Sequence, residues 1–399
     1  MCSSIWIGVI VLTYVAPKSV QSVDAEYPHK IEPCLPSVTT VSGTHAPANI
    51  CSGALIFADE FDKFNLETWQ HENTLAGGGN WEFQYYNNNR TNSFTDDGIL
   101  FIRPVAVTSR KHFGPQLFRP MSTAQSQSRP LVIVLNGRAC TDPEWFGCER
   151  TGTPTNILNP IKSARIRTAN SFSFRYGRVE ARAKLPAGDW LWPAIWLMPA
   201  FNAYGTWPSS GEIDIMESRG NRNLLQNGVN IGVQEAASTL HYGPYSQLNG
   251  WKRAHWVGRN ETGYDREFHL YQLEWTPDYI KFSIDNVELG KVDPGSGGFW
   301  KYGDIDSNRN IENPWRYGSK MAPFDQKFYL IINLAIGGTS GYFPDGLQNP
   351  TPKPWLNSSP KAATDFWDAR EAWLPTWGLD QNGGRNASLQ VDYVRVWAL

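Results

Sequence analysis

Three acidic residues, Glu212, Asp214 and Glu217, fall within six positions of the run GEIDIMES. Carboxylates packed this closely repel one another and resist ionisation, so the cluster calls for a use. Two carboxyls about 5 Å apart suit a retaining glycosidase, in which one attacks the anomeric carbon while the other, held protonated, donates to the leaving oxygen. Glu212 is assigned the attack and Glu217 the acid/base role. Asp214, between them, is assigned a hydrogen bond to the nucleophile, because neighbouring carboxyls titrate as a coupled set. An arbitrary ExDxxE is more often the solvated acidic face of an ordinary strand, and here the flanking residues tip the balance.

Immediately upstream, WLWPAIWLMP and GTWPSSGEID bring Trp190, Trp192, Trp196 and Trp207 close to the acids, with Pro and Gly breaking the chain into loops. Flat rings beside acids are what a saccharide cleft needs. Trp207 is the candidate for sugar stacking, and Trp196, inside an apolar run, is expected in the core. His241 in TLHYG has two readings that stay open: a donor to a sugar hydroxyl or a bound product, or a satisfied structural histidine.

These groups must be held by strands. From about residue 55 the chain shows short apolar runs separated by turn signals and no long segment of 3.6-residue period, an all-β pattern. Strands are expected at 98–104, 177–186, 192–199, 212–217, 271–277, 279–286, 328–336 and 389–397. In GRVEARAKL, Val179, Ala181 and Ala183 face one way, and Arg178, Glu180, Arg182 and Lys184 the other, where they are expected to line a groove. The same alternation creates a difficulty for the acids. Glu212 and Asp214 share a face, whereas Glu217, at an odd offset, points away unless a β-bulge near Ile215 or Met216 absorbs one residue.

Bulk properties narrow the class. With 41% hydrophobic and 19% charged residues, 399 positions can bury a large core. A net charge of −2 gives no basic field for nucleic acid or an anionic membrane, so neither is expected as a partner. Eighteen Trp exceed what a core needs, since each buried indole N–H demands an acceptor. Residues 1–25, with an apolar run from Ile5 to Ala16, read as a secretory signal peptide, followed by a Pro/Ser/Thr-rich arm at 26–52 and one domain at 53–399. Cys34, Cys51, Cys140 and Cys148 then form an even set suited to an oxidising compartment, with Cys34–Cys51 and Cys140–Cys148 the expected pairs among three connectivities. Sequons at Asn89, Asn260, Asn357 and Asn386 agree with secretion.

The runs GRVEARAKLP, WPAIWLMP and WPSSGEIDIMESRGN, with FADEFD, CERTGT, TLHYGP, YQLEWTPD, INLAIGGT and VDYVRVW, resemble glycoside hydrolase family sixteen, in its branch of animal laminarinases and β-1,3-glucan-binding proteins. The resemblance covers nearly the whole chain from about residue 32. It implies a concanavalin-like jelly-roll β-sandwich with a concave sugar cleft and retaining hydrolysis of internal β-1,3-glucosidic bonds, by a monomer without a cofactor. A structural calcium occurs in some relatives, with no ligands assignable here. Residue by residue, the resemblance carries the nucleophile to Glu212, the assisting acid to Asp214, the acid/base to Glu217 and sugar contacts to Trp207, Asn92, Arg90 and Trp192. The competing expectation is a glucan-binding recognition protein without activity; relatives of that kind often lack the catalytic glutamates, and all three acids stand here.

Overall fold

Alternation along GRVEARAK shows how the sequence builds its sheets: Val179, Ala181 and Ala183 are buried while Arg178, Glu180, Arg182 and Lys184 keep contact with water. The computed structural model describes residues 34–107, 132–135, 139–153, 155–305 and 311–399. The expected signal peptide and the start of the arm lie outside these residues. The described part of the arm contributes an edge strand, Thr40–Ser42, paired with Ser173–Arg175, so it is more ordered than its Pro/Ser/Thr content suggested.

Two large sheets face each other. The first contains four strands that matter for the site: β1 (Leu191–Pro199), β2 (Glu212–Ser218), β3 (Glu235–His241) and β4 (Phe328–Ile336), adjacent in the order β4, β1, β2, β3. His255–Arg259 flanks β3, while Ser173–Arg175 and Arg165–Arg167 pair with β4. The second sheet runs Val287–Val292, Ile280–Ile284, His269–Trp275, Gly177–Lys184, Leu389–Trp397, Ile99–Ile102, Ser93–Asp96. All eight expected strands are present, with ends shifted by at most two residues. Aromatic contacts bridge the layers: Trp275 of the second sheet meets Phe174 at 5.5 Å and Phe328 at 5.4 Å, both from the first. The fold is a jelly-roll β-sandwich, and among the described residues no helix is long and apolar enough to cross a membrane.

The groove expectation for GRVEARAK fails, because this strand belongs to the second sheet and its polar face is occupied locally. Glu180 accepts from Gln272 and from the Tyr393 hydroxyl, and Arg182 pairs with Asp392. Cys140–Cys148 forms as expected, and Cys34 and Cys51 are both in disulfides.

Hairpin chemistry is explicit at 280–292. Ile284 pairs with Val287, leaving Asp285 and Asn286 as a two-residue loop with φ of 51° and 65°. Such a loop matches strand twist only with both residues left-handed, which Asp and Asn tolerate. Asp285 also accepts from the Leu270 N–H, and Asn286 from Gln272. Replacing Asn286 with Ile should destabilise the fold by about 1–2 kcal/mol, read as a lower urea midpoint at unchanged slope; Asn286→Gly should cost less.

Candidate active site

On β2, Ile213, Ile215 and Met216 are buried in the core, and Glu212, Asp214 and Glu217 lie on the opposite face. Two consecutive inward residues require an extra residue in the strand. Asp214 pairs with Thr239 and Glu217 with Ala237, so three steps on β2 match two on β3. The same slip appears toward β1, where Trp196 pairs with Asp214 and Ile195 with Met216. This is the bulge the sequence required, and it turns Glu217 back to the face of the other acids. A bulge leaves a ladder group unpaired; here the Ser238 hydroxyl donates to the Ile215 carbonyl at 2.7 Å and satisfies it. Gly211, at φ 83°, sets the entry to β2, and a Cβ there would press on Phe324 and Pro323 at 3.0–3.1 Å.

The acids occupy different surroundings. Glu212 pairs with His241 across β2 and β3 and accepts a short hydrogen bond from the Trp207 indole N–H. Trp207 is 42% exposed and its ring lies 5.6 Å from that of His241, leaving a face open beside the acids. Glu217 accepts from the Trp192 Nε1–H at 2.9 Å. Trp192 is stacked on Tyr342 at 3.8 Å and 3°, and Arg219 lies 4.2 Å over the other part of this assembly while donating to the Tyr342 carbonyl. The Trp192 indole is therefore fixed by packing, and with it the direction of the Glu217 carboxyl.

Burial pushes Glu217 up from the ordinary carboxylate range; His241 and the Trp192 hydrogen bond oppose this, and the charge of Glu212 adds to it. Asp214 is held far higher, by burial first and then by Glu212 and Glu217 on either side. A hydrogen bond with Glu212 adds to the same direction.

His241 completes the arrangement. Asn249 Oδ1 accepts from the backbone N–H groups of Tyr242 and Trp251, so its amide nitrogen, 2.8 Å from His241 Nδ1, must donate to that atom. The ring proton consequently sits on Nε2, 3.3 Å from Asp214 Oδ2. Asn249 thereby fixes the ring of His241 beside Asp214, whose Oδ2 has no hydrogen-bond partner among the described residues. Among the described residues, Glu212, Asp214 and His241 also place possible metal-ligand atoms within 4.8 Å of one another. With the proton on Nε2 and Nδ1 taken by Asn249, the imidazole in this tautomer offers no lone pair to a cation.

The remaining carry-overs separate. Trp207, Trp192 and His241 touch the acids. Asn92 does not serve as a sugar contact: it is fully buried, its amide nitrogen donates to the carbonyls of Arg103 and Lys162, and its oxygen accepts from Asn87 and Thr91. Arg90 is taken up by Asn88, His71 and the ring of Phe64, away from the three acids. Trp196 is not a core residue either. It is half-buried on the acids' face of β1, donates to Asn333 at 2.7 Å and carries Arg165 over its ring at 4.5 Å, whereas the deeply buried indole of the run is Trp190. Sequence reading missed Asn249, Tyr342 and Ser238, whose roles depend on contacts across long separations or on a bulge carbonyl that no local pattern announces.

A family model for glycosyl hydrolases family 16 matches residues 157–298. The β-1,3-glucan-binding protein of Penaeus monodon is 46% identical over 349 residues, spanning 86% of this chain and 90% of that protein. β-1,3-Glucan-binding protein 1 of Galleria mellonella is 36% identical over 382 residues, 92% of this chain and 68% of its own. In structure, the chain is similar to the laminarinase from Rhodothermus marinus, with TM-score 0.51 and 24% identity over 87% of this chain and 98% of that one. It is also similar to the endo-β-1,3-glucanase from Pyrococcus furiosus, with TM-score 0.52 and 24% identity over 87% and 94%. At such identities these structures speak to the fold alone.

Two outcomes follow from the site. Trp192→Phe removes a bond that favours ionised Glu217, so its carboxyl should stay protonated to higher pH, and the basic limb of any glycosidase kcat/KM profile should move upward. Asn92→Ala should lower the thermal midpoint, with a cost of about 1–3 kcal/mol for the orphaned groups, while leaving KM unchanged.

Proposed function

The chain belongs to glycosyl hydrolases family 16, and from that premise we propose that it binds β-1,3-glucan across the outer face of β1–β3 and hydrolyses internal linkages with retention of configuration. The observation that carries this reading is the bulge on β2, which sets two glutamates on one face in unlike surroundings. Glu212, beside the exposed Trp207 ring, attacks the anomeric carbon as the bond to the leaving oxygen breaks. Glu217, its carboxyl pushed up by burial, gives that oxygen a proton. The products of this step are a glycosyl ester on Glu212, a free chain end and ionised Glu217.

Esterification removes the Glu212 charge that had raised Glu217, so Glu217 becomes easier to ionise when it must act as a base. It then takes a proton from water, whose oxygen attacks the same carbon; the ester bond breaks and both glutamates return to their starting states. Asp214, its carboxyl pushed up by burial and by the flanking glutamates, donates to the nucleophile and limits the negative charge in the pocket. The disulfides fit an extracellular setting.

A second reading, glucan binding without cleavage, is favoured by the names of the relatives at 46% and 36% identity, both β-1,3-glucan-binding proteins. Reducing-end release from laminarin decides between the two. The enzyme reading predicts steady release by the unaltered chain, abolished by at least a thousandfold in Glu212→Gln and strongly reduced in Glu217→Gln, with laminarin affinity retained in both. Affinity without any release would leave recognition as the function.

A further inference from the structure

Away from the three acids, aromatic side chains stand open to water where a core would have claimed them. Trp81 is 43% exposed, Trp145 50% and Phe146 69%. All three have positive φ, at 52°, 53° and 62°. Bulky residues enter this region rarely, at a cost of about 1–3 kcal/mol each, and only where the surroundings enforce it. The enforcement is visible: the Cys140–Cys148 disulfide closes the loop around Trp145 and Phe146, the Gly147 N–H bonds back to the Glu144 carbonyl, and Arg150 donates to the Trp145 carbonyl at 2.9 Å.

Trp81 and Phe146 border a cavity of about 740 Å³ lined also by Arg150, Asn159, Thr339 and Pro360 among others, and Trp145 packs against Trp81 with ring centroids 6.0 Å apart. Arg150 lies 5.6 Å over Trp81 and donates to Asn159 at 2.7 Å, so a cation and a buried amide form part of the wall behind the rings. Trp81 and Trp145 meet at 73°, so they present two differently inclined surfaces to solvent instead of one flat patch. Open apolar faces framed by hydrogen-bonding groups in a concave site are the complement of a pyranose, which has apolar C–H faces and a rim of hydroxyls. Successive sugars of a β-1,3-linked chain turn relative to one another, which inclined rings can follow.

Hydrogen bonds link the cavity wall to the face that carries the acids. Glu82, in its wall, accepts from Tyr86; the Tyr86 hydroxyl accepts from Asn333 on β4; and Asn333 accepts from Trp196 on β1, beside Asp214 in register. Thr339 follows three residues after the end of β4, whose Ala335 lies opposite Trp192.

We infer that this cavity is a second glucan contact, which engages sugars of the same β-1,3-glucan chain remote from the bond at Glu212 and so favours polymer over short oligosaccharides. The inference rests on the proposed glucan-binding function, and its test separates the two. Laminarin affinity, by electrophoretic retardation in laminarin gels, and laminaritriose affinity, by calorimetry, would be measured for the unaltered chain and for Trp145→Ala, Phe146→Ala and Trp81→Ala, with thermal midpoints checking that each variant folds. Three separate surface substitutions guard against the loss of any one variant. The expected result is polymer affinity about tenfold weaker in at least Trp145→Ala or Trp81→Ala, with triose affinity within about twofold. Unchanged polymer affinity in folded variants of a chain that does bind laminarin would overturn the inference alone, assigning the rings to another partner such as a protein. Equal loss for polymer and triose would overturn it as well. No laminarin affinity in the unaltered chain would overturn the glucan-binding function and this inference together.

Discussion

One surplus residue in one strand governs the site. A regular strand places Glu212 and Glu217 on opposite faces, one toward water and one into an apolar core, where an unpaired carboxylate is heavily penalised. The bulge at Ile215–Met216 resolves this by sending two apolar side chains inward in succession and returning Glu217 to the outer face. The fold stabilises the irregularity twice, by burying Ile215 and Met216 and by capping the Ile215 carbonyl with Ser238. Core packing and site geometry are therefore the same constraint seen from two sides of the sheet.

Once the acids share a face, their repulsion must be managed, and the structure does so by giving each a different partner. Trp207 donates to Glu212 from an exposed loop, and Trp192 donates to Glu217 from a stack with Tyr342. Asp214, crowded from both sides, is pushed toward its protonated form and has His241 Nε2 3.3 Å away, in a ring that Asn249 orients. One acid is thus open beside an aromatic surface and another is shielded, its carboxyl pushed up by burial. That asymmetry is what acid-assisted displacement at a sugar carbon requires.

The sequence made the strands and the acid cluster legible because both depend on local periodicity. Glu212, Asp214 and the core run around Ile213 and Met216 together imply a bulge, since no regular strand satisfies all of them. Three-dimensional neighbours were less accessible. Trp190 and Trp196 are six apart in one apolar run, yet Trp196 lies within β1 and meets Asn333 and Arg165 on the outer face, while Trp190 stands just before the strand at φ 69° and is buried. Asn92 looked like a cleft residue from its place in a motif, but its amide closes hydrogen bonds between segments distant in sequence. Likewise the polar side of GRVEARAK was read correctly as polar but expected to line a groove, because alternation fixes a face and says nothing about which layer it belongs to.

The stereochemistry of the first product tests the account most directly. If the bulge brings Glu212 within bonding reach of the anomeric carbon while Glu217 serves the opposite side of the reaction, proton NMR of a freshly started laminari-oligosaccharide digest should show the β-anomer at the new reducing end before mutarotation supplies the α form. Initial appearance of the α-anomer would mean direct attack by water and would contradict the assignment of Glu212 as a covalent nucleophile.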